Sequence, residues 1–85
     1  MPSFKILHGD DVRRFALPDD ADYKRFHEAV DTLFGIETNV KMHNRIYYLD
    51  AEAEWVLLGS DIEFADAVRN CTRDVLHAQI ADTRP

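Results

Sequence analysis

The 85-residue chain reads as a single α+β domain, a mixed sheet packed on one main helix in the order β-β-α-β-β-α-β. Three features predict this. Short apolar runs with period-two alternation sit near both ends, at Phe4–His8 and Val75–Ile80. Tyr23, Phe26, Val30, Leu33 and Phe34 recur at helical spacing between them. Ser60 and Glu63 have the spacing of a capping box, which opens a second helix.

Phe4–His8 forms the first strand, and Gly9-Asp10-Asp11 is a turn signal. Val12–Leu17 makes the returning strand of a hairpin closed by Pro18, with Phe15 and Leu17 as its inward pair. Val12 and Phe15 are three apart, so both can face inward only through a bulge or if Val12 belongs to the turn. Asp19, Asp20 and Asp22 offer N-caps for the first helix, and Gly35 is its stop. Residues 36–44 are a polar connection. Ile46–Leu49 and Trp55–Leu58 are strands flanking an acidic turn, and the second helix runs from the Ser60 cap to about Asn70. Its inner face is expected to carry Phe64, Ala65, Val68 and Cys71. Leu76, Ala78 and Ile80 share one side of the last strand. Residues 1–80 are thus the domain, and 81–85 begin a linker.

Composition removes several functional classes. One cysteine, Cys71, excludes an internal disulfide and is expected to be a packed thiol. No run approaches the ~18 apolar residues of a membrane span, and the first residues do not read as a signal peptide, so a cytoplasmic location without membrane association is expected. A net charge of −6 argues against nucleic acid as the partner, because phosphate binding needs a positive surface. There is no Gly-rich phosphate loop, nucleophile elbow or His pair at metal spacing, and His8, His27, His43 and His77 are scattered. No catalytic residue, metal site or cofactor is expected, and the chain does not read as an enzyme.

The acids are distributed unevenly. Between Ile46 and Val68 lie Asp50, Glu52, Glu54, Asp61, Glu63 and Asp66 with no Lys or Arg, which equals the net charge of the chain. Asp50, Glu52, Glu54 and Asp61 fit positions 1, 3, 5 and 12 of a calcium loop, but Trp55 stands where the sharp turn needs Gly, and strands flank the loop. An acid–base pair for hydrolysis would need one carboxylate desolvated in a cleft, which an exposed turn does not supply. A patch of carboxylates repels itself unless a cation offsets it. The offsetting cations lie far away in sequence: Lys5 in the first strand, on the face opposite Phe4 and Ile6, and Arg13 and Arg14 in the second. The three are expected to converge on one surface, which makes the molecule positive at one end, negative at the other, and complementary to itself head to tail.

The element order resembles the ubiquitin-like β-grasp. With these charges on these elements, the chain resembles the Phox/Bem-one (PB-one) domain over about Phe4 to Ile80. The family's strand-one lysine corresponds to Lys5 in "FKILHG", and its basic pair to Arg13 and Arg14 in "DVRRF". Its acidic OPCA motif corresponds to "YLDAEAEWVLLGSDIEF", with Asp50, Glu52 and Glu54 as one group and Asp61 and Glu63 as the other. Ala53 departs from the pattern, because the family has Gly there. The resemblance implies a protein–protein interaction module carrying both faces, which associates front-to-back with copies of itself or with other PB-one domains. Its parent would be a scaffold, signalling protein or sequestosome-like autophagy receptor. The alternative is a ubiquitin-like adaptor acting through an apolar patch. A modifier would need a Gly-Gly tail where this sequence ends in "TRP".

Overall fold

Phe4 and Ile6 are fully buried and Lys5 between them is exposed, the alternation of a strand with one covered face. The structure, a computed structural model, describes residues 1–39, 41 and 43–85; Val40 and Met42, in the expected 36–44 connection, lie outside the described residues. β1 (Ser3–His8) pairs antiparallel with β2 (Asp11–Ala16) across a turn in which Gly9 takes φ 59°. α1 (Tyr23–Phe34), β3 (Arg45–Leu49), β4 (Trp55–Leu57), α2 (Asp61–Arg69) and β5 (Val75–Ala81) follow. The five strands form one mixed sheet in the order β2-β1-β5-β3-β4, with β1 and β5 parallel and the other neighbours antiparallel. The expected order and layering are observed.

Both ends of α1 follow from single residues. The Asp22 side chain accepts the N–H of Arg25, and Gly35 closes the helix at φ 66°, in the left-handed region that Gly adopts without steric cost. Phe26 and Val30 of α1 meet the sheet, and Phe4, Phe26 and Phe64 pack with ring centroids 5.0–5.9 Å apart. Truncating such a ring costs about 3–5 kcal/mol, so these three tie β1, α1 and α2 into one core.

Several local expectations are refined. β2 keeps strict alternation without a bulge: Phe15 and Leu17 face the helices, while Val12 pairs with Leu7 on the outer side and stays 53% exposed. On α2 the buried alanine is Ala67, not Ala65, which is exposed. The Ser60 cap sets the helix phase, and Ala67 and Val68, three and four residues after Phe64, share its face. β4 stops at Leu57, yet Leu58 is fully buried and its N–H donates to the Ile46 carbonyl at 2.8 Å. β5 runs to Ala81, and the Asp82 carboxylate accepts the Asn44 N–H at 3.0 Å.

Candidate interaction surfaces

The register of three strands builds the basic side. Lys5 is the direct partner of Arg14 on β2 and of His77 on β5, so Arg14, Lys5 and His77 form a row across the outer face of the sheet, away from the helices. Arg13 is not in that row. It pairs with Ile6 and therefore shares the helix-facing side with Phe15; its guanidinium lies 5.6 Å from the centre of the Phe34 ring. The expected convergence of Lys5, Arg13 and Arg14 on one surface is thus corrected by strand alternation, which puts adjacent residues on opposite faces. Because β2 is an edge strand, Arg13 and Arg14 straddle that edge and both remain exposed.

The acidic side is built from a turn and a helix cap. Asp50 opens the β3–β4 connection, and its Oδ1 accepts the N–H groups of Glu52 and Glu54, each at 2.9 Å. The Asp50 N–H donates to the Glu54 carbonyl at 2.9 Å, and the turn closes with Ala53 at φ 62°. These bonds hold Glu52 and Glu54 outward and exposed; their side chains make no hydrogen bond or ion pair among the described residues. Asp61 and Glu63 differ. Asp61 accepts the backbone N–H of Tyr23 at 3.0 Å, joining the start of α2 to the start of α1. Glu63 is half-buried and accepts from the Gly59 N–H and the Ser60 hydroxyl, both at 2.9 Å, while Ser60 Oγ accepts the Glu63 N–H. This is the Ser60–Glu63 reciprocity that the spacing predicts, with the Glu63 carboxylate taking the N–H of Gly59 in place of that of Ser60.

Asp66, one turn further along α2, faces the acidic turn. A groove of about 310 Å³ lies between them, lined in part by Tyr48, Asp50, Glu52, Asp66 and Arg73. Burial and then the charges of Asp66, Asp50 and Glu63 push the Tyr48 phenol above its ordinary value. Three carboxylates from the turn and α2 therefore act on one phenol. The sequence counts Asp66 in the acidic stretch but the acidic motif ends at Glu63, so its place beside the turn emerges only from the packing of α2. His77 was missed for another reason: its proximity to Lys5 depends on the pairing of the first and last strands, which leaves no local signal.

The two surfaces occupy different ends of the sheet. β2, with Arg13 and Arg14, is one edge strand, and β4, which receives the acidic turn, is the other. Four inter-strand steps separate the edges, roughly 19 Å at the usual ~4.8 Å spacing. Among the described residues the ion pairs involve only the N-terminus and two histidines; no Lys or Arg side chain pairs with an acid. No group of three or more His, Cys, Asp or Glu is placed to hold a metal among the described residues, and none of their helices is long and apolar enough to cross a membrane.

A family model for the PB1 domain matches residues 2–83. No curated protein matches the chain in sequence. Solved structures that share its fold include two of the AtNBR1-PB1 domain. A cryo-EM structure of the AtNBR1-PB1 filament (L-type) superposes with TM-score 0.76 at 19% identity, covering 99% of this chain and 97% of that one. A structure of the AtNBR1-PB1 domain gives TM-score 0.76 at 19% identity, covering 96% and 97%.

Proposed function

We propose that this chain, which belongs to the PB1 domain family, is a protein–protein interaction module that associates front-to-back with copies of itself or with other PB1 domains. Lys5 and Arg14, with Arg13 reaching around the edge, form the basic face, and Asp50, Glu52 and Glu54 form the centre of the acidic face. Asp61 and Glu63 contribute charge from the start of α2 while holding that helix in place. The observation that carries the reading is the separation of opposite charges onto the two edges of one sheet, with no Lys or Arg paired to an acid among the described residues. Such charges are complementary between molecules rather than within one. The two faces are different surfaces, so the contact is heterologous and propagates unless geometry closes a ring. The AtNBR1-PB1 structure of the same fold is a filament, which supports this geometry. A scaffold or selective-autophagy receptor is the kind of parent protein such a module serves, and its setting is the cytoplasm.

The test uses two half-disabled variants. Lys5→Ala/Arg14→Ala keeps the acidic face, and Glu52→Ala/Glu54→Ala keeps the basic face. Each alone is expected to be monomeric by sedimentation. Mixed, they should form a one-to-one heterodimer and stop there, because both outer ends are damaged. A mixture that stays monomeric at concentrations where the unaltered chain assembles would overturn the two-ended reading.

A further inference from the structure

His77 sits at the inner end of the outer basic row, directly beside Lys5, one strand further from the sheet edge. Its surroundings are cationic on one side: Lys5 from β1, Arg14 from β2 beyond it, and Arg73 from the segment leading into β5. On the other side β3 continues past its Tyr48–Ala78 pair with β5 to Leu49, which pairs with Trp55 of β4, and neither carries a charge. Among the described residues, the charges that act on His77 within the protomer are those of Lys5, Arg73 and Arg14, all cationic.

We infer that His77 is a further contact of the basic face, taking up a proton as an acidic partner surface docks, so that association is coupled to pH. This rests on the front-to-back reading. In the free protomer, burial and then the charges of Lys5, Arg73 and Arg14 hold the His77 imidazole below its ordinary value, so it is neutral near pH 7. A further permanent cation in the row would add to the repulsion already present between Lys5 and Arg14, which a titrating side chain avoids in the free protomer. A docked carboxylate surface reverses the field. It offsets Lys5 and Arg14, offers His77 an acceptor, and raises its proton affinity in the complex above that in the free chain. By linkage, association then strengthens as pH falls through the docked pKa and levels off below the free one. Carboxylates stay ionised down to about pH 5, so the window between neutrality and that point isolates the histidine.

The experiment uses the heterodimer of the two half-disabled variants, whose single contact gives one Kd. With the unaltered His77 in the Glu52→Ala/Glu54→Ala partner, the Kd should tighten on the order of three- to tenfold between about pH 7.5 and about pH 5.5. His77→Gln in that partner should remove most of this dependence, so that its Kd at about pH 5.5 stays near its own value at about pH 7.5. His8, His27 and His43 remain in both chains and fix the background slope. A slope unchanged by His77→Gln overturns the role of His77 and leaves the front-to-back reading intact. Absence of the heterodimer at every pH overturns both. NMR titration of the unmutated His77 ring checks the same point without a substitution: its midpoint should rise when the acidic-face partner saturates it, and an unmoved midpoint refutes the inference.

Discussion

The basic edge and the acidic turn carry opposite charges, and they are built in opposite ways. Lys5 and Arg14 are exposed, directly paired positions on regular strands, and among the described residues their side chains make no hydrogen bond or ion pair, so they have no structural duty. On the acidic side Asp50 holds the turn, Asp61 tethers two helix starts and Glu63 completes a cap. Only Glu52 and Glu54 of the five sequence-assigned acids make no such side-chain bond among the described residues. Charge placed on a strand is available to a partner without affecting the fold, whereas charge placed in turns and caps serves both. The two faces should therefore respond differently to the same kind of substitution.

The largest separation is expected between Lys5→Ala and Asp50→Ala. Both should abolish assembly. Lys5→Ala should change unfolding free energy by less than about 0.5 kcal/mol, as for other exposed positions away from the core. Asp50→Ala also deletes two turn hydrogen bonds and should cost about 1–2 kcal/mol. Denaturant titration of each variant at a concentration where it is monomeric checks this. Equal losses would mean that Lys5 is structural or that the turn does not depend on Asp50.

Salt tests whether charge is what joins the two faces. Exposed ion pairs contribute roughly 0.2–1 kcal/mol each, so affinity requires several acting together, and all of them are screened. Apparent mass by light scattering should fall steeply between low salt and about 1 M, where the Debye length is ~3 Å. Large particles that persist unchanged would point to an apolar contact instead.

Much of this organisation is legible in the sequence, and the gaps have physical reasons. Alternation identifies β1 and β5, the 3.6-residue period identifies α1, and Asp22, Gly35 and Ser60 mark helix ends as their side chains or dihedrals require. The split of Arg13 from Arg14 was implicit: the parity that turns Phe15 and Leu17 inward also turns Arg13 inward. What periodicity cannot supply is register between distant strands. Neither the juxtaposition of Lys5 with His77 nor the groove between the acidic turn and Asp66 has a signal within a short window.

Smaller effects sharpen the comparison within each face. Arg14→Ala should weaken association more than Arg13→Ala, because Arg14 lies in the row with Lys5 while Arg13 lies on the helix-facing side of the edge strand. Arg13→Ala should instead lose the contact with the Phe34 ring, about 0.5–1 kcal/mol of stability at an exposed site. Binding of each variant to the acidic-face protein, alongside its own denaturation curve, distinguishes the two; identical binding losses would mean that both arginines contact the partner equally. His77 adds a pH signature of opposite sign to that of assembly. Its depressed pKa in the fold means that monomer stability is fully present above the ordinary value of 6.5 and is lost as pH falls through the lower folded value. Acidification should thus weaken the free domain slightly, and His77→Gln should remove that component.

The smallest effect concerns Ala53. At φ 62° it occupies the left-handed region, where a Cβ approaches the following carbonyl oxygen and costs about 1–2 kcal/mol relative to Gly. The turn tolerates this because the Asp50 carboxylate and the Asp50–Glu54 backbone pair fix it from both sides, so the strain is local and offset. Ala53→Gly removes the strain but adds backbone entropy to the unfolded chain, which returns part of the gain. The net expectation is a stabilisation of about 0.5–1 kcal/mol, a few degrees in Tm for a domain of this size. Assembly should be unchanged, because Glu52 and Glu54 keep their positions and charge. Thermal unfolding of the monomeric Lys5→Ala background with and without Ala53→Gly isolates the effect from self-association. A destabilised double variant would show that the turn relies on the rigidity of Ala53. Weakened binding with stability gained would show that the strained turn holds the carboxylates in the orientation the basic face requires.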